Sequence, residues 1–222
     1  MKNVGLMRAS MLAFGLALVF AGHSYAAEKH DHDHAEQSAS HNHAKDDVYR
    51  GIFEDSDIKA RTLADWQGDW QSVYPYLQDG TLDPVMAHKA EKGDKTADEY
   101  RAYYEIGYKT DVGQIVIDGD QVTFNRGGQS VSGHYADDGY EILTYKAGNR
   151  GVRFIFKKVD GDEDAPDYIQ FSDHRIAPAD ADHYHLYWGD DRAALLNEVT
   201  NWPTYYPSSL SGDEIVKEML AH

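Results

Sequence analysis

The stretch YIQFSDHRIAPADADHYHLYW, residues 168–188, decides how this chain reads. Its first seven residues alternate: Tyr168, Gln170, Ser172 and His174 fall on one face of an extended strand, Ile169 and Phe171 on the other. After a loop containing Pro178 the alternation resumes, with His183, His185 and Tyr187 set against Tyr184, Leu186 and Trp188. A two-residue period with one polar and one apolar side marks half-buried β-strands. The two strands predict an antiparallel hairpin. In its symmetric register His174 stands directly opposite His183, with Cβ atoms about 4.5–5.5 Å apart. A slip of one residue would turn His174 to the other face. The polar side is expected to line a cavity, and the apolar side to be covered by a helix.

Working outward, the same alternation recurs upstream. Ile115 to Asp118 and Val122 to Asn125 flank the hairpin signal Asp118-Gly119. Further strands are predicted at 130–135, 140–145 and 152–157, punctuated by Asp138-Gly139, Gly148-Asn149 and Gly161-Asp162, and an early one through Trp70 to Tyr76. Turn signals this regularly spaced predict a sequential antiparallel sheet curled into a barrel. Helices frame it. Thr96 and Glu99 form a T-x-x-E capping box that opens a helix running to about Tyr108, and Ser211 and Glu214 do the same for a C-terminal helix. A shorter helical stretch is predicted over Asp190 to Val199, and His88 also falls in a helical segment. The fold class is mainly β (α+β), one domain over residues 48–222.

Two other segments precede that domain. Residues 1–26 carry Lys2 and Arg8, then an apolar run from Met11 to Ala21, then Ser24-Tyr25-Ala26 with small residues at the −3 and −1 positions. This is a secretory signal with cleavage expected after Ala26, the run being too short to span a hydrocarbon core of about 30 Å. Residues 27–47, AEKHDHDHAEQSASHNHAKDD, have almost no large apolar side chains and are expected to be disordered without a ligand.

Composition narrows the chemistry. Against 21 basic side chains stand 38 acidic ones, a formal net charge of −17 that becomes −19 once Lys2 and Arg8 leave with the signal. Such a surface repels nucleic acid and anionic membranes and draws cations. There is no cysteine, which removes thiolate metal sites, cysteine catalysis and disulfides. Imidazole and carboxylate remain as strong ligands.

Twelve histidines occur. His183 and His185, two residues apart on a strand, project in parallel, and His174 across the hairpin completes a three-imidazole set. Zinc accepts such ligands at about 2.0–2.1 Å with a fourth position left exchangeable. Copper(II), nickel and cadmium also accept imidazole. Neutral imidazole is the ligating form, so affinity is expected to fall as pH drops through about 6. His30, His32, His34, His41 and His43, interleaved with acids in the tail, are expected to gather metal weakly or supply a fourth ligand, since ordering a flexible strap costs entropy. His134 and His88 read as surface residues. Trp66, Trp70, Trp202, Tyr205 and Tyr206 read as packing anchors.

The segments DWQGDWQSVYPYL (65–77), GYEILTYKAGNRGVRFIFK (139–157), YIQFSDHRIAP (168–178), HYHLYWGDD (183–191) and LLNEVTNWPTYYP (195–207) resemble the ZinT family of periplasmic zinc-binding proteins, almost throughout residues 48–222. The resemblance implies a calycin-like, lipocalin-related barrel with added helices, and zinc at the barrel mouth on His174, His183 and His185. It also implies zinc recruitment under scarcity, cadmium tolerance, and cooperation with the substrate-binding subunit of a zinc ABC importer. Some relatives bridge the strands near Ser132 and Lys157 with a cysteine pair that this chain lacks. Two alternatives stay open on the residues themselves. One is a zinc hydrolase or lyase using metal-bound water, although no H-E-x-x-H or comparable motif occurs and Asp173 should point away. The other is a lipocalin-type binder of a small organic ligand. Metal binding without catalysis is the expectation.

Overall fold

The computed structural model describes residues 47–146, 148–197 and 200–221. The signal, the cleavage point after Ala26 and the tail histidines His30, His32, His34, His41 and His43 lie outside the described residues.

Eight antiparallel strands close into a barrel in simple sequence order: β1 Gly68–Ser72, β2 Gln114–Asp118, β3 Gln121–Arg126, β4 Gln129–Thr144, β5 Arg150–Gly161, β6 Tyr168–Ser172, β7 Tyr184–Gly189 and β8 Thr204–Pro207. Each strand pairs with the next, and β1 pairs with β8 to complete the ring. Every strand contributes to one buried cluster. Trp70, Ile115, Phe124, Tyr135, Phe154, Phe171, Leu186 and Tyr205 are among its members, so this cluster is the barrel interior. Trp66, on a short 3-10 turn before β1, plugs it with 0% exposure and stacks on Phe171 at 4.5 Å between ring centroids.

Four α-helices, α1 Tyr74–Gln78, α2 Asp83–Lys92, α3 Ala97–Gly107 and α4 Gly212–Ala221, build a second core against the outside of the barrel around Val73, Leu77, Met86, Tyr206 and Ile215. Both predicted capping boxes are formed. Thr96 Oγ1 accepts from the Glu99 N–H, and Ser211 Oγ accepts from the Glu214 N–H while the Glu214 carboxylate accepts from the Ser211 N–H at 2.8 Å.

Several expectations are corrected. The early strand stops at Ser72, because Pro75 seats at the start of α1, where its missing N–H costs nothing. The strands predicted at 130–135 and 140–145 are one continuous β4. Its Asp138-Gly139 pair makes an irregularity in the β4–β5 ladder instead of a turn, and Gly139 takes the φ of 83° that this bend requires. The stretch 190–199 holds only a 3-10 turn, Ala194–Leu196, among its described residues. β8 was not foreseen, being a short strand hidden in an aromatic run. Ser132 lies beside Asp162, and Lys157 opposite Ala136, so those two positions are not neighbours. Among the described residues no helix is long and apolar enough to cross a membrane.

Candidate metal centre

β6 and β7 pair with Ser172 opposite His185 and Phe171 opposite Leu186. That is the register in which 174 would face 183, but the ladder ends two residues short of it. Asp173 turns inward to an ion pair with Arg61 at 2.6 Å, and His174 follows at φ 59°. A left-handed backbone in a residue with a Cβ costs about 1–2 kcal/mol, so the fold must hold His174 there. His183 sits just ahead of the first residue of β7. The predicted direct strand pairing of His174 with His183 is therefore replaced by a loop approach. The convergence survives: ring centroids are 6.0 Å (174–183), 5.6 Å (174–185) and 6.0 Å (183–185) apart. One nitrogen from each lies within 4.8 Å of the other two, the one such cluster of metal-ligating side chains among the described residues. Tetrahedral zinc would set its nitrogens about 3.3 Å apart, which small side-chain rotations can reach.

The polar side lines a cavity as expected, with Ser172, His174, His185 and Tyr187 on its wall, but the apolar side is covered in another way. Ile169, Phe171, Tyr184 and Leu186 are covered by barrel closure and need no helix, while the histidines look outward from the wall near its rim. His174 and His185 border a cleft of about 480 Å³ that Ser172, Tyr49, Tyr104, Tyr187 and Trp202 also line. Residues 47–53 cross this region. Their passage against β5 is fixed where Gly51, at φ 80°, meets the Arg150 backbone too closely for any Cβ, and where Arg150 Nη1 donates to the Phe53 carbonyl at 2.8 Å.

The neighbours of His185 fix its tautomer. Thr204, its cross-strand partner on β8, donates its hydroxyl hydrogen to the Trp202 carbonyl at 3.0 Å. That hydroxyl has no second hydrogen, so at the 2.8 Å contact His185 Nδ1 must be the donor. The imidazole is thus the Nδ1–H tautomer, and its Nε2 lone pair is free to bind metal. Burial lowers the His185 pKa well below the usual histidine value, helped by His174, His183 and the Arg153 cation. His183 stacks on Tyr206 at 5.0 Å with planes 10° apart, and His174 lies 4.4 Å from the Tyr49 ring.

The other candidates fall outside this centre. His134 is on β4 with Nδ1 3.0 Å from Asp120, and His88 is on α2 with Glu91 at 3.8 Å. Sequence reasoning missed Thr204, Tyr206, Tyr49 and Arg61. The β-branched and aromatic run Thr204-Tyr205-Tyr206 could have suggested a strand, but nothing local marks Tyr49 or Arg61.

An eight-stranded antiparallel barrel with three converging imidazoles on its outer wall defines a lipocalin-like protein with a candidate metal centre. Sequence comparison gives its family. The chain belongs to the ZinT (YodA) family, described as periplasmic, lipocalin-like and zinc-recruiting, whose profile matches residues 43–222. It is 63% identical over 176 residues to the probable metal-binding protein YrpE of Bacillus subtilis, covering 79% of this chain and 70% of that one. It is 52% identical over 177 residues to the zinc-binding lipoprotein AdcA of Streptococcus pneumoniae, and there spans only 35% of the relative's length. The crystal structure of the Zn(II)-bound ZinT-like domain of that AdcA superposes with a TM-score of 0.76 at 52% identity, covering 78% of this chain and 97% of the domain.

Proposed function

We propose that this protein captures zinc in the periplasm with His174, His183 and His185, keeps the fourth coordination position exchangeable, and passes the ion to the substrate-binding subunit of a zinc ABC importer. The observation that carries the reading is the convergence of three imidazole nitrogens within 4.8 Å, one of them locked in the ligating tautomer. Neutral ligands leave the bound ion its full charge, so an anionic or water ligand can occupy the fourth position and be displaced during handover. The AdcA relatives, in which a matching domain forms about a third of a longer zinc-binding protein, support a partnership with a further zinc-handling unit. Cadmium, nickel and copper(II) suit the same donors in vitro. The tail histidines serve as a weak collector, and export follows from the signal with cleavage after Ala26.

Hydrolytic chemistry is less well supported. Of the two carboxylates adjacent in sequence to a proposed ligand, Asp173 accepts from Arg61 Nη1 and from the Arg175 N–H, and Asp182 is ion-paired with Arg175. Metal content measured by mass spectrometry on three proteins tests the proposal: the intact chain, one lacking residues 27–45, and His174→Ala/His183→Ala/His185→Ala. One tightly held zinc is expected in the first two and none in the third. Tight zinc in the triple variant refutes the site. Intact-mass measurement of exported protein checks the Ala26 cleavage.

A further inference from the structure

Two of the three histidines, His174 and His183, belong to the β6–β7 connection, beyond the reach of strand pairing. What holds that connection comes from far away in the chain. The segment 59–65, ahead of β1, grips it along its length. The Lys59 N–H donates to the Ile176 carbonyl at 2.8 Å, and the Ala181 N–H donates to the Asp65 carbonyl at 2.8 Å. Between these points Arg61 Nη1 donates to Asp173 Oδ1 at 2.6 Å, Nη2 to the Ala179 carbonyl at 2.8 Å, and Nε to Asp65 Oδ2 at 2.7 Å. Arg61 is 1% exposed, and its guanidinium lies 4.0 Å over the Trp66 ring that plugs the barrel.

A fully buried ion pair is a poor source of stability, because desolvating both charges offsets most of their attraction, and apolar replacements of similar volume often hold a fold as well or better. What the guanidinium supplies that an apolar side chain cannot is direction: a rigid planar fork addressing three acceptors at once. Here one acceptor is the residue immediately before His174, at the point where the backbone enters its unfavourable φ of 59°. A loop released from this grip would relax toward negative φ and swing the imidazole off the centre.

We propose that Arg61 is a positioning residue for the metal: through Asp173 it holds His174 in the left-handed conformation that turns its ring to His183 and His185. The inference rests on the three-histidine reading above. The test uses Arg61→Met/Asp173→Leu, which removes the two fully buried charges together and leaves without its partner only Asp65, whose side chain is 14% exposed to solvent. Zinc affinity is measured by chelator competition and unfolding by thermal melts, with and without His174→Ala. The expected result is a melting temperature unchanged or raised, zinc binding weakened about 10–100-fold, the range typical of outer supports of metal ligands, and less than about threefold further loss when His174 is already alanine. Unchanged affinity, or an equal loss in both backgrounds, overturns the proposal. If the double replacement does not fold, Asp173→Asn is taken through the same two backgrounds with the same criteria. Failure of the underlying reading shows separately, as tight zinc retained when all three histidines are alanine.

Discussion

Replacing Thr204 by valine removes one oxygen from behind the metal centre and keeps the branched shape of the side chain. In the native protein that oxygen accepts from His185 Nδ1 at 2.8 Å while its hydrogen is committed to the Trp202 carbonyl. Valine leaves a buried Nδ1–H without an acceptor, a penalty of about 1–3 kcal/mol. The free protein can escape part of this by shifting the proton to Nε2 or rotating the ring. On the proposed ligation the zinc-bound protein cannot, because Nε2 would then be committed to the ion and Nδ1–H would become more acidic and more in need of a partner. The penalty therefore falls mainly on the bound state, and zinc affinity should drop about 10–100-fold, equivalent to about 1.4–2.8 kcal/mol. Thr204→Ser restores the oxygen and should bind within about threefold of the native protein. Competition against a chromophoric zinc chelator at pH 7.5 reads both. A valine variant within twofold of native would mean that Thr204 does not organise His185, or that His185 is not a ligand.

Acidification should destabilise the metal-free protein. Because the folded pKa of His185 is depressed below about 6.5 by burial, the unfolded chain takes up a proton that the folded one refuses. In the window from about 6.5 down to the folded pKa this group alone lowers stability by about 1.4 kcal/mol per pH unit. Urea melts between pH 7 and 5 test the sign, and a midpoint rising with acidity would refute it. The same depression means that His185 contributes little proton competition near pH 6, so its share of the loss of zinc affinity should appear at lower pH than an ordinary histidine would give. Trp66→Ala empties the plug of the barrel and should cost about 3–5 kcal/mol, read as a lower denaturation midpoint. Thr96→Ala removes the N-cap of α3 for about 1 kcal/mol and should leave zinc affinity untouched, because α3 carries none of the three histidines.

What could be read without a structure was whatever short-range geometry dictates. The two-residue period of a strand sets His185 with Ser172 and Tyr187 on one side of the hairpin and suggests His183 beside them, although His183 itself falls just outside β7. Thr96 with Glu99 and Ser211 with Glu214 fix helix starts within a single turn, and the regular turn signals imply a meander. Ambiguity began where one local signal serves two geometries. Asp138-Gly139 suits a hairpin turn or a bulge equally, and only pairing with the long β5 makes it a bulge.

The face the histidines occupy was a matter of tertiary structure. Alternation separates polar from apolar sides, but whether the apolar side is covered by a helix or by the sheet closing on itself depends on β1 meeting β8 across most of the chain. The place of the third histidine was likewise a tertiary outcome. His174 meets its partners with a left-handed backbone, next to an Asp173 paired with Arg61, 112 residues away. Sequence alone determined which donors this protein could offer a metal; long-range packing decided where they meet, because side-chain direction in a loop is set by whatever the loop is anchored to.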